Sequence, residues 1–217
     1  MEAPTSTAGG RRRNPRGQGE RLREEILAAA ARMLDQLGDD EALSLRAVAR
    51  EIGVAAPSVY LHFADRDALV YAVLERCHDD LVAAAERGET AAADPAGQLR
   101  EHTLRHVEWA LRHPGLYKVL HESTLNQRID MPFKRQLANR AVDLIQRCVD
   151  AGQAPPADPD PAAVALDLRT AVYGVASLRI NQPRYPWPPL PDQLDRLLTK
   201  LVGIGPVIGT GVAEGEG

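Results

Sequence analysis

Residues Ser44–Phe63 read SLRAVAREIGVAAPSVYLHF. The stretch encodes two short helices joined by a tight turn. Ser44 stands where its hydroxyl can accept from an early backbone N–H that has no partner inside the first helix. Leu45, Val48, Ala49 and Ile52 then recur at helical spacing. Gly53 permits the left-handed backbone that ends a helix sharply. Pro57 falls in the first turn of the second helix, where a missing N–H does no harm. So short a turn forces the helices to cross steeply. The result is a helix-turn-helix, whose second helix fits a DNA major groove.

Toward the N-terminus, Leu22, Ile26, Ala29, Ala30, Met33, Leu34 and Leu37 form one apolar stripe on a helix beginning near Gly19. Gly38 ends it, and Asp39–Glu41 form an acidic link. This helix supplies the apolar surface that two short helices cannot bury alone. Residues 1–18 are predicted to be a disordered basic arm, with Arg11, Arg12, Arg13 and Arg16 set against Glu2 alone. A basic arm beside a helix-turn-helix is an electrostatic footprint for phosphate. The alternative is a solubilising tail.

The longer pattern carries a specific resemblance. Gly53-Val54, then Ser58-Val59-Tyr60-Leu61-His62-Phe63, then Arg66 and Leu69, resembles the signature of the TetR family of bacterial transcriptional regulators. That signature runs Gly-Val-x-x-x-x-Leu-Tyr-x-His-Phe-x-x-Lys-x-x-Leu. Val59 replaces the usual Leu and Arg66 the usual Lys, and both keep the chemistry. The match covers about residues 20–71. It implies an all-α fold: a three-helix helix-turn-helix domain at 19–66, then a larger helical ligand-binding and dimerisation domain at 67–204, about nine helices in all. Residues 205–217, rich in glycine, are expected to form a flexible tail.

The resemblance also implies a DNA-binding surface of Ser44, Arg46, Ala56, Pro57, Ser58, Tyr60, His62 and Arg66, joined by Arg11, Arg12 and Arg13 of the arm. Arg46 lies in the first turn of its helix, within reach of a guanine edge or a phosphate. Tyr60 and His62 point toward the phosphodiester backbone in the family, positioning the protein without reading sequence. Arg66 starts the fourth helix, where its charge and nearby backbone N–H groups can share one phosphate. Phe63 reads as core. Ala55-Ala56-Pro57 departs from the family, whose members often carry a polar side chain there. Alanine and proline pack on thymine methyls but form no bidentate bonds to bases, so direct readout is sparse. More weight then falls on Arg46 and on DNA shape.

The remainder of the chain reads as helices. A long fourth helix is expected from about Asp65 to Arg87, with Gly88 as its stop. Further helices are expected from Asp94-Pro95 to about Arg112, over Leu116–Leu125, from Pro132 to Gly152, from Asp158-Pro159 or Asp160-Pro161 to about Ile180, and from about Asp192 to Gly203. Trp109, Tyr117, Phe133 and Tyr173 are scarce aromatics in an alanine-rich region. They suggest the lining of a cavity for a largely apolar small molecule, with Arg105, Glu108 and His121 as polar anchors; core packing is the alternative. His102 and His106 share a helix face, and a polar face or pocket lining explains that spacing better than metal binding. Neither a metal nor a cofactor is expected. The helix at 161–180 carries Val164, Leu168, Val172 and Val175 on one stripe and Ala163, Leu166, Thr170, Tyr173 and Ser177 on another. The last two helices resemble the family's dimerisation pair, which implies that the two faces of this helix are buried by its own domain and a second copy of the chain, with Val172, Leu197 and Leu201 at the interface of a four-helix bundle.

Bulk properties bound the rest. The chain has 217 residues, 44% of them apolar, with a formal charge of −4, so it folds around a core and is no basic nucleic-acid glue. Cys77 and Cys148 are too few and too far apart for a disulfide framework. No apolar run approaches the roughly 20 residues of a membrane span, and no hydrophobic segment follows the N-terminal arginines; a cytoplasmic protein with no membrane partner is expected. No nucleophile–base–oxyanion arrangement and no phosphate loop is present, so an enzyme is not expected. The expected function is a homodimeric, ligand-responsive repressor of a palindromic duplex operator. The competing reading is a helical ligand-binding or adaptor protein whose helix-turn-helix is only structural.

Overall fold

The computed structural model describes residues 18–156 and 160–205. The arm arginines Arg11, Arg12 and Arg13, and the tail beyond residue 205, lie outside the described residues. Among the described residues there are ten helices and no strand. They are α1 (Gln18–Leu37), α2 (Leu45–Glu51), α3 (Ala56–Tyr60), α4 (Arg66–Ala91), α5 (Pro95–Arg112), α6 (Pro114–Glu122), α7 (Leu125–Arg128), α8 (Lys134–Asp150), α9 (Pro161–Asn181) and α10 (Leu190–Leu201). The element beyond the expected set is α7, a single turn after α6.

Local chemistry starts and stops most of them. Asp65, Asp94 and Asp160 each accept from a backbone N–H three residues on, at 2.8 Å in every case, and so open α4, α5 and α9. Gly38 adopts φ +61° and its N–H reaches Leu34 O at 2.8 Å, closing α1. Gly88 does not stop α4 as expected. A Cβ there would lie 2.9 Å from Arg105 Cγ and 3.1 Å from Glu101 Cβ. The glycine serves close approach of α5, and α4 runs on to Ala91.

Packing is organised around α5. It lies along α4 on one side and touches α8, α9 and α10 on the others, with Leu99, Val107 and Ala110 fully buried. α8 pairs with α9, while α1 holds α2, α4 and α6 together. Ile26, Ala29, Ala30 and Leu34 of the α1 stripe are buried, but Leu37 at its end is exposed. Glu89 of α4 is buried and ties three helices: its Oε1 meets His102 Nδ1 of α5 at 2.8 Å and its Oε2 accepts from Arg140 Nε of α8 at 2.8 Å. Burial pushes that carboxyl up, but the bonds from His102 and Arg140 outweigh it and hold it down at about 2. Cys77 and Cys148 are free and buried, and burial pushes their thiols up to about 12 and about 11. No helix among the described residues is long and apolar enough to cross a membrane.

Candidate functional site

The first site is the helix-turn-helix. Ser44 Oγ accepts from Ala47 N–H at 3.2 Å and caps α2. Gly53 sits at φ +69° with no atom near its missing Cβ, so it is there for its backbone and not for space. Val54 N–H donates to Ala49 O at 2.9 Å and folds the turn back. α3 then starts at Ala56 with no side-chain cap and Pro57 in its first turn. Val59 and Phe63 are buried and anchor its inner side. The Arg23 guanidinium lies 5.1 Å above the Phe63 ring and fixes that anchor to α1.

With those anchors inward, the opposite side faces out. Arg46, Pro57 and Tyr60 are exposed; Ala56, Ser58 and His62 are half-buried. Leu61 is 86% exposed, at a place that the family signature leaves variable. An apolar side chain so exposed beside a recognition helix is a contact candidate in its own right. Arg66 starts α4 as expected, and its guanidinium already has partners within the chain. Its Nη2 bonds Asp67 Oδ1 at 3.2 Å and its Nη1 donates to Glu41 O at 3.5 Å. Asp67 in turn accepts from Arg128 of α7 at 2.7 Å, the main reason its carboxyl is held down. Asp65 already caps the first turn of α4. Arg66 is therefore part of an internal ion network beside the head.

The second site is a cavity of about 70 Å³ enclosed by α4, α5, α6, α8 and α9. Four histidines line it: His78 from α4, His102 and His106 from α5, and His121 from α6. Burial holds His106 and His121 down at about 3 and lowers His78, so these imidazoles are neutral near pH 7. Leu81, Leu120, Leu137, Leu168 and Val172 give it apolar walls. Lys134 and Arg169 are its cations, and no carboxylate lines it. Among the described residues no group of three or more His, Cys, Asp or Glu is placed to hold a metal.

Of the expected ligand residues, His121 lines this cavity; the others lie around it or away from it. Tyr117 is buried behind the histidines, 4.4 Å from the His121 ring and 5.9 Å from His106. Tyr173 stacks on Tyr117 and donates to Glu122 at 3.0 Å. Phe133 meets Tyr71 edge-on and backs His78 at 5.3 Å. Trp109 is buried against His113 and faces a separate crevice near Asp35 and Cys77. Arg105 is engaged by Glu101 and Glu108 at 2.9 and 2.8 Å. Aromatic scarcity was a poor guide, because these rings pack as a second layer. Helical spacing does place His102 and His106 on one face, but five separate helices converge to bring the four histidines together with Lys134 and Arg169.

Two connections run from this cavity toward the helix-turn-helix. α6 carries Leu120 and His121 at the cavity, and its first turn is capped from α1: Asp35 Oδ1 accepts from Gly115 and Leu116 N–H at 3.0 and 3.1 Å. A Cβ on Gly115 would fall 1.9 Å from Asp35 O, so the two helices touch backbone to backbone. The second runs from the open cleft beside the cavity, which Arg128 lines with Lys134 and Arg169, through the Arg128–Asp67 pair between α7 and α4. The expected interface residues divide. Val172 is buried and lines the cavity, so it faces its own domain and not a partner, whereas Leu197 and Leu201 are half-buried. The large apolar side chains that α9 leaves exposed are Leu166 at 60% and Leu178 at 48%.

Comparison with known proteins gives two matches along the chain. Residues 26–73 match the family described as bacterial regulatory proteins, tetR family, and residues 99–203 match the tetracyclin repressor-like C-terminal domain. The chain is 25% identical over 151 residues to the nucleoid occlusion factor SlmA of Photobacterium profundum, spanning 66% of this chain and 77% of that protein. It is 33% identical over 98 residues to the class D tetracycline repressor protein of Escherichia coli, spanning 43% and 44% of the two chains. A protein of unknown function from Rhodococcus sp. RHA1 has a similar structure, with a TM-score of 0.70 and 26% identity, over 88% of this chain and 99% of that one.

Proposed function

The chain belongs to the TetR family of bacterial transcriptional regulators, and on that premise we propose that it represses transcription as a homodimer bound to a palindromic operator, and lets go when a small molecule fills the cavity. The observation that carries the reading is the helix-turn-helix, with Val59 and Phe63 inward and with Arg46 of α2 and Pro57 and Tyr60 of α3 outward. Arg46 reads a base edge; Tyr60 and His62 hold phosphates; Ala56, Pro57 and the exposed Leu61 offer apolar contacts to sugar or thymine methyl. Ser44 holds α2 in place for Arg46. The arm arginines add sequence-independent affinity.

The ligand is coupled through α6 and α4, which reach both the cavity and the head. Filling the cavity releases DNA only if the ligand binds the DNA-incompetent arrangement more tightly. A second copy of the chain covers α9 and α10, because α9 leaves the large apolar side chains Leu166 and Leu178 exposed. Two-fold symmetry of the protein is then mirrored in the operator. Selection of bound duplexes from a random library with the purified chain tests this. Enrichment of a palindrome bound at roughly 10⁻⁸–10⁻¹¹ M at physiological salt is expected. Asymmetric sites only, or no enrichment, would overturn it.

A further inference from the structure

We propose that the cavity takes an amphipathic organic acid, its apolar body lodged against Leu81, Leu137 and Leu168 and its carboxylate held by Lys134 and Arg169. This deepens the ligand-responsive reading and rests on it. Lys134 and Arg169 line the cavity with no carboxylate among its lining residues to balance them. Lys134 Nζ donates to Leu120 O and Asn126 Oδ1, both neutral, and an ammonium has a third proton to give. Arg169 pairs with no carboxylate among the described residues. Both cations also line the open cleft next to the cavity, together with Leu120 and His121. They therefore stand where the inner chamber meets solvent, the place an acid head occupies when its tail points inward.

Like charges at one chamber mouth repel, and the half-buried Lys134 has no carboxylate partner to offset its desolvation. Burial first, and then the Arg169 guanidinium, push the Lys134 ammonium down to about 8. A bound anion offsets both effects. His78, His106 and His121 do not, because burial keeps them neutral. His78 is 3% exposed and lines the same chamber, yet both of its ring nitrogens lack a hydrogen-bond partner, as does His121 Nε2. Buried polar atoms left unpaired are costly, and they give the ligand's polar atoms a reason to enter. A neutral hydrocarbon leaves the cations unmet. A wholly polar anion must lose water against leucine walls. An organic acid with an apolar body satisfies both surfaces.

The test uses the full chain and matched probes: hexanoate, octanoate and decanoate against the corresponding neutral n-alkanols, by titration calorimetry, with operator affinity followed in parallel. The best acid should bind at least about tenfold more tightly than its alcohol. Lys134→Met and Arg169→Gln should each erase most of that preference and leave alcohol binding unchanged. Arg169 is exposed, so Arg169→Gln decides the matter if Lys134→Met does not fold. Equal binding of acid and alcohol, an acid preference that survives Arg169→Gln, or no binding of any probe overturns the organic-acid assignment and leaves DNA release by another ligand standing. Acid binding that is lost in the variants but leaves operator affinity unchanged supports the acid site and overturns the release reading.

Discussion

Arg46 and Tyr60 both stand on the outer side of the reading head, but different losses are expected from removing them. Arg46→Ala should cost about 1–3 kcal/mol on the selected operator and relax preference at one base pair. Tyr60→Phe should weaken binding to all duplexes by a similar, smaller amount. Anisotropy titrations on operator and scrambled duplexes, repeated across salt, separate the two. If Arg46→Ala leaves preference intact and only flattens the salt slope, Arg46 contacts phosphate. The buried ionisable residues set a second expectation at this scale. His106 and His121 are held at about 3 in the fold against 6.5 as the ordinary value, because burial disfavours their charged form. The unfolded chain therefore takes up protons first, and stability falls as pH drops below about 6.5. Glu89, held at about 2 against 4.5, extends the fall below pH 4.5. Denaturant midpoints should show a loss of about 2–4 kcal/mol between pH 7 and pH 5. His106→Gln with His121→Gln should flatten that segment; an unchanged profile would mean the imidazoles are solvated.

Among the elements, α6 is the most consequential, since one end lies in the cavity and the other against α1. Gly115→Ala would drive a methyl into the Asp35 carbonyl. The atoms it would meet belong to the Asp35 backbone, so no flexible side chain can give way. Thermal denaturation should show a loss of about 1–3 kcal/mol or more. Asp35→Ala should cost less, about 1 kcal/mol, by removing the acceptor for two first-turn N–H groups. It should also weaken the effect of a cavity ligand on operator affinity; full coupling in that variant would place the transmission elsewhere, with α4 the remaining route. Element by element, the start at Asp94-Pro95 was legible because capping is a contact across three residues, while two Asp-Pro pairs competed to open α9 and the structure caps it with Asp160. The end of α4 was not. Gly88 looks like a stop, but whether a glycine ends a helix or admits a neighbour depends on what packs against it, here Glu101 and Arg105 of α5.

For the molecule as a whole, the exposed side of α9 predicts the assembly. Leu166→Glu and Leu178→Glu place charges on a surface that is open in the single chain, so each subunit should still fold. In a dimer the same charges would be buried unpaired. Sedimentation should shift from dimer to monomer, and operator affinity should fall with it because the half-sites are no longer read together. Dimers that persist in both variants would remove α9 from the interface. Val172→Glu should instead unfold the subunit, since Val172 faces its own cavity. The reading head was almost fully legible in Ser44–Phe63. Its cap, its left-handed glycine and its apolar spacing act over four or five residues, and those distances are set by the chain itself. Only the tertiary structure decided which side chains share the cavity. His78, His121, Lys134 and Arg169 come from four helices, and their meeting depends on how those helices pack around α5, a matter of shape complementarity between faces and not of local pattern.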